Sequence, residues 1–199
     1  LDLVAGDVST GSSDTADVVL LRNQLEVLGG ALAFVPEPIL RGTDRGFSPD
    51  PEDPPYFPPD SGFSWEAYGL AFGDPDADGD VDLFVVDQAQ YLYVYANDGT
   101  GRFAPIRYDA IASRPFAFAR LDPTGFAAAQ AAIATGDLNS DGRVDFAVSY
   151  QNGSVGTGPG EVFVWLGEGV DEAGRPTFAD GGRVGSAGTD VRGLAIGQL

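Results

Sequence analysis

Short apolar runs punctuate this chain at near-regular intervals, and clusters of Gly, Asp, Asn, Ser or Pro close each of them. The runs are rich in Val, Ile, Phe and Tyr, and turn signals separate them at strand-like spacing, so they read as β-strands. Residues 1–6 and 17–21 predict two strands joined by a Ser-, Thr- and Gly-rich loop at 7–16, and 31–35 predicts a third. Four more follow at 68–73, 81–86, 91–95 and 103–108, and then a second set at 128–135, 144–150, 161–166 and 175–178. Tyr91, Tyr93 and Tyr95 alternate with Leu92 and Val94. Successive strand residues face opposite ways, so both faces of this strand are expected to be covered. The pattern predicts an all-β chain.

The two sets are copies of one unit. Gly73-Asp74 and Gly136-Asp137 stand at the same place in each, 63 residues apart from Asp74 to Asp137. Four antiparallel strands per unit at about this period are the signature of propeller blades. Residues 193–197 match 69–73, and 1–4 match 81–84, so the pattern continues on both sides. The chain reads as one β-propeller segment. It comprises a partial blade at 1–40, a Pro-rich insertion at 41–62, blades at 63–125 and 126–189, and a first strand at 190–199. Three blades are fewer than the roughly four to eight that close a propeller. The expectation is a part of a larger propeller, completed by further blades or by another chain.

Each Pro in the insertion removes a ladder donor, so 41–62 cannot be a central strand. It reads as an exposed loop, with a binding loop bearing Tyr56, Phe57 and nearby Phe63 as the functional alternative.

Between the first two strands of each unit lies an acidic loop. In Asp74-Pro75-Asp76-Ala77-Asp78-Gly79-Asp80-Val81-Asp82, acidic side chains fall at loop positions 1, 3, 5 and 9, with Gly at 6. In Asp137-Leu138-Asn139-Ser140-Asp141-Gly142-Arg143-Val144-Asp145 the same offsets carry Asp, Asn, Asp, Gly and Asp. Calcium takes six to eight oxygens, and such a loop supplies most of them. The candidate ligands are Asp74, Asp76, Asp78, the Asp80 carbonyl and Asp82, and then Asp137, Asn139, Asp141, the Arg143 carbonyl and Asp145. A plain Asp-Gly turn is the simpler alternative. It needs no four oxygen-bearing side chains in matching register twice. An EF-hand is excluded, since position 12 is Val85 or Val148 where that motif places Glu, and strands flank the loops.

Charge narrows the partners. Lys and Arg number 11 against 30 Asp and Glu, for a net charge of −19, and every basic residue is Arg. Nucleic-acid binding is disfavoured, because phosphates call for clustered cations. The loops hold only part of the acidity, which points to a strongly solvated surface, and a saline habitat is one setting that suits it. Neither Cys, His nor Lys occurs, so Ser-His, Cys-His and Ser-Lys nucleophile systems and common zinc sites have no parts. No apolar run reaches membrane-spanning length. The start at Leu1-Asp2-Leu3 falls mid-pattern, as in a piece of a longer or processed chain.

The loop motif resembles the FG-GAP (VCBS-like) repeats of integrin α-subunit propellers and many bacterial secreted proteins. Phe72-Gly73 matches the "FG" of the name, and Phe103-Ala104-Pro105 stands near the "GAP", with Phe for Gly. Thr135-Gly136 and Ile196-Gly197 are degenerate versions. The resemblance implies Ca²⁺ in both loops, stiffening each blade, and a weakened or missing third site where Gln198 replaces Asp. It implies an extracellular, non-enzymatic segment for adhesion, assembly or protein interaction. The rival is a carbohydrate-binding module or a lyase-type polysaccharide enzyme, with Trp65, Trp165, Tyr91 and Tyr95 as sugar-stacking candidates. The acidic residues outside the loops, such as Glu66, Asp87 and Asp109, single out no catalytic pair. A third reading is a subunit whose edge strands pair with a partner.

Overall fold

The computed structural model describes residues 3–6, 16–23, 34–41, 67–87, 91–106, 117–120, 131–151, 160–186 and 193–197. Among them every regular element is a strand. The first sheet has the order β1 (Leu3–Gly6), β2 (Ala16–Asn23) and β3 (Phe34–Arg41). The second contains β4 (Ala67–Gly73), β5 (Asp82–Asp87), β6 (Tyr91–Asn97), β7 (Phe103–Pro105) and β8 (Ala117–Arg120). The third contains β9 (Ala131–Gly136), β10 (Asp145–Gln151), β11 (Gly160–Val170) and β12 (Pro176–Ser186). All pairings are antiparallel, so the chain is all-β, with a four-strand meander in each of the last two sheets.

Several elements differ from their sequence reading. The third strand lies at 34–41 instead of 31–35 and carries Pro36 and Pro38. It pairs with β2 alone among the described strands. Prolines two apart turn their missing donors toward the same edge, so an edge strand accommodates both. β11 and β12 run to 11 residues each because bulges absorb the glycines that the sequence presents as turns. β7 stops at Pro105, and β8 takes over the same edge of β6, opposite Tyr91–Tyr93. Residues 193–197 run without a regular strand, and Ile196 lies against β9, where a Cβ on Gly136 would come within 2.7 Å of an Ile196 methyl. The 41–62 insertion beyond Arg41 lies outside the described residues, as do Trp65, Glu66, Asp109 and the Gly-rich interior of 151–160.

The last two sheets share a core. Phe84 and Val86 of β5 and Leu92 and Val94 of β6 meet Ile133, Phe146, Val148 and Phe178. Phe146 packs edge-on against Phe178 at 5.0 Å and tilted against Phe84 at 6.0 Å, and it stacks on Trp165 at 6.0 Å. The opposite face of the second sheet is equally dry, with Leu83, Val85, Tyr93 and Tyr95 all buried. Both faces of β6 are covered, as its alternation predicts.

The sheets also follow one another by a repeated step. β4 lies against β9, and β5 touches β9 as β1 touches β4. Close approach is set by small residues. A Cβ on Gly69 would come within 3.2 Å of the Ile133 backbone nitrogen, and one on Gly73 within 2.8 Å of a Val144 methyl. The Thr135 hydroxyl donates a hydrogen bond to the Phe72 carbonyl, joining equivalent positions of successive repeats. The outcome is two acidic loops, each held at the junction of a repeat's first two strands.

Candidate metal centre

Gly73 pairs with Asp82 and Gly136 with Asp145, so each loop is closed by the last pair of its hairpin. Within that frame the two loops fold alike. Asp74 accepts hydrogen bonds from the N–H groups of Asp78 and Gly79, both at 3.1 Å, and Asp76 accepts from Asp78 at 3.2 Å. Asp137 accepts from Asp141 at 3.1 Å and Gly142 at 2.9 Å, and Asn139 accepts from Asp141 at 2.9 Å. Asp80 and Arg143, expected to offer carbonyls, occupy equivalent places. Each donates its N–H to the carboxylate at position 5, over 2.8 Å to Asp78 and 2.9 Å to Asp141. Gly79 and Gly142 take positive φ of 96° and 83°, a region where a Cβ is costly and Gly is not.

These bonds draw the first loop's carboxylates together. One oxygen each from Asp74, Asp76 and Asp78 lies within 4.8 Å of the others, a group that can hold a metal ion. Partial burial, with the charges of Asp78 and Asp74, holds the Asp76 carboxyl above the usual range despite an opposing backbone hydrogen bond. In the second loop the lines are softer. Asn139 is neutral, its amide donates to Asp141 at 3.1 Å, and the Arg143 guanidinium lies 3.2 Å from the same carboxylate. The Arg143 backbone N–H is the main cause that holds the Asp141 carboxyl below its ordinary value, with Asn139 and the Arg143 charge adding to it.

Asp82 and Asp145 close the loops from beneath, and both are fully buried. Here the copies part. Asp145 Oδ1 accepts from Gly167 N–H at 2.8 Å, while Oδ2 accepts from Leu138 N–H at 2.8 Å and Asn139 N–H at 3.3 Å. Asp82 Oδ1 accepts from Asn97 N–H at 2.8 Å, but its buried Oδ2 has no partner. The residue in Leu138's place is Pro75, which has no N–H to give. Burial pushes the Asp82 carboxyl up to about 7, against the Asn97 bond and with help from the charges of Asp76, Asp78 and Asp74. Asp82 stands outside the group of oxygens that lie within 4.8 Å of one another, but a buried carboxylate oxygen left bare at the end of the same acidic loop suits a hard divalent cation, whose charge reverses the local pKa logic.

Two contributors escaped the sequence reading. Asn97, the last residue of β6, and Gly167, inside β11, hold equivalent positions in the two repeats and anchor the closing Asp of their loops. Asn97 also donates its side-chain amide to the Val81 carbonyl at 3.1 Å and accepts from Gly99 and Gly101. At Gly167 a Cβ would sit 2.5 Å from the Val144 carbonyl oxygen. The only sequence signal was a Gly or Asn shortly before a turn.

Residues 74–148, from the first Asp of one loop through the second loop and into β10, match the family model of the FG-GAP-like repeat. The chain carries an FG-GAP-like repeat. Repeats of this kind are β-propeller blades, which agrees with the two four-strand meanders that the match overlaps. No curated protein and no solved structure matches the sequence.

Proposed function

We propose that this chain is a Ca²⁺-stabilised segment of an extracellular β-propeller, used for adhesion, assembly or protein interaction. The observation that carries the cation is the convergence of Asp74, Asp76 and Asp78 oxygens within 4.8 Å of one another, in a loop whose closing Asp82 has a bare, buried Oδ2. Asp74, Asp76, Asp78, the Asp80 carbonyl and Asp82 form the first ligand set. Asp137, Asn139, Asp141, the Arg143 carbonyl and Asp145 form the second. The metal is structural, since its ligands come from one tight hairpin loop in which protein oxygens fill most of the shell. The blades span 63–125 and 126–189, flanked by a partial blade at 1–40, the insertion at 41–62 and the start of a further blade at 190–199.

The interaction role rests on the repeat and on a surface charge that favours solvated contact over collapse. An extracellular setting suits it, because free Ca²⁺ there satisfies even weak sites. Among the described residues no helix is long and apolar enough to cross a membrane. Of the aromatics considered for stacking on sugars, Trp165 stacks on Phe146 and Tyr95 is buried, so both are committed to packing.

The test is thermal unfolding of the chain in Ca²⁺, in Mg²⁺ and in chelator, with its mass in solution measured alongside. A ligand bound only by the native state raises the melting temperature as its free concentration exceeds Kd. A Ca²⁺-specific rise is expected. An identical melting temperature in all three would leave the loops as ordinary turns.

A further inference from the structure

The two loops share a fold but not a charge balance, and the difference has a chemical cause. The first carries five carboxylates (Asp74, Asp76, Asp78, Asp80 and Asp82) and no cationic side chain. The second carries three (Asp137, Asp141 and Asp145), and Arg143 stands 3.2 Å from Asp141. In the second loop backbone N–H groups cover both oxygens of the buried Asp, with Leu138 and Asn139 on Oδ2, whereas Pro75 has no N–H to give in Leu138's place, the Asp76 N–H makes no such bond, and Asp82 Oδ2 is bare. Burying an anionic oxygen without a partner is costly, and a satisfied one is not.

From this we infer that the loops divide the work: the first is a cation-dependent clasp, and the second holds its shape without metal. Pro75 is the residue that sets the division. It withholds the counterpart of the shorter of the two N–H bonds that Oδ2 of Asp145 accepts, and so couples the fold of residues 74–82 to a bound divalent cation. Residues 137–145 carry their own donors and their own Arg. On removal of Ca²⁺ the hairpin of β4 and β5 opens at its loop end, while that of β9 and β10 stays closed. The inference rests on the cation reading given above and deepens it.

The experiment compares the full chain with its Pro75→Ala and Leu138→Pro variants, each in Ca²⁺ and in chelator. Replacing Pro ordinarily lowers stability, because the unfolded chain gains freedom. Here the restored N–H is expected to reverse that sign. Pro75→Ala melts higher than the native chain in chelator, by roughly 2–4 °C for each 1 kcal/mol recovered, and its Ca²⁺-dependent rise shrinks. Leu138→Pro melts lower in chelator, and its rise grows. Hydrogen exchange on the native chain gives a second reading that needs no variant to fold. In chelator the amides of 74–82 exchange at least about tenfold faster than in Ca²⁺, while those of 137–145 accelerate by a several-fold smaller factor, which reflects only the loss of their own bound ion.

A Ca²⁺-dependent rise in the native chain together with a lower-melting Pro75→Ala in chelator overturns the division of labour but leaves the cation reading standing. Equal acceleration of both loops in chelator does the same. No Ca²⁺ response in the native chain overturns both.

Discussion

Asp145 shows what a single carboxylate does in this fold. Fully buried, it gathers the N–H groups of Leu138, Asn139 and Gly167, and so ties the loop both to itself and to the third strand of the repeat. Asp145→Ala leaves those donors without their acceptor, which costs on the order of 3–5 kcal/mol. Urea unfolding in chelator measures it, and a loss below about 1 kcal/mol would mean that water replaces the carboxylate freely. Asp82 is the contrasting case. With its folded pKa near 7, well above an unfolded Asp, the metal-free native state binds the proton more tightly than the unfolded chain does. Its contribution in chelator is therefore fully present below about pH 4 and is lost as the pH rises toward and past 7. Melting in chelator across that window is expected to fall on this account relative to Asp82→Asn, whose side chain does not titrate. A parallel pH course in the two proteins would refute it.

The acidic loops and their strands were legible in the sequence, because ligand spacing and β-branched flanks are local signals. Their inequality was written there too, as Pro75 against Leu138, but its meaning depended on a contact seven residues on, between Leu138 N–H and Asp145. At the scale of the element, the misreadings have the same root. Pro36 and Pro38 look like strand breakers until the strand is known to be an edge, and Gly167, Gly169, Gly181 and Gly182 look like turns until bulges are allowed. β8 carried only a short apolar pattern and owes its place to the edge of β6 left open after Pro105. Contacts between elements of successive repeats were invisible altogether. The Thr135 hydroxyl donates to the Phe72 carbonyl across such a junction, and Thr135→Val removes it while keeping the shape. A loss of about 0.5–1.5 kcal/mol by urea unfolding is expected. No loss would mean that packing around Gly69 and Gly73 alone holds β4 against β9.

For the whole molecule the question is whether successive sheets are separate bodies or one. Phe84 of the second sheet and Phe146 and Phe178 of the third form a single aromatic contact, with Val86, Leu92, Val94, Ile133 and Val148 around it. Neither sheet can withdraw without exposing the apolar face of the other, so the two are expected to unfold together. Phe146→Ala tests this, because the side chain it truncates belongs to one sheet and supports both. The cavity and lost contacts cost about 3–5 kcal/mol, a large fraction of the total stability of an ordinary domain. Hydrogen exchange then separates the cases. If the sheets form one cooperative unit, amides of β5 and β6 gain as much exchange through global opening as those of β10 and β11. If acceleration stops at β9–β12, each repeat folds on its own and the shared aromatics only glue finished sheets together.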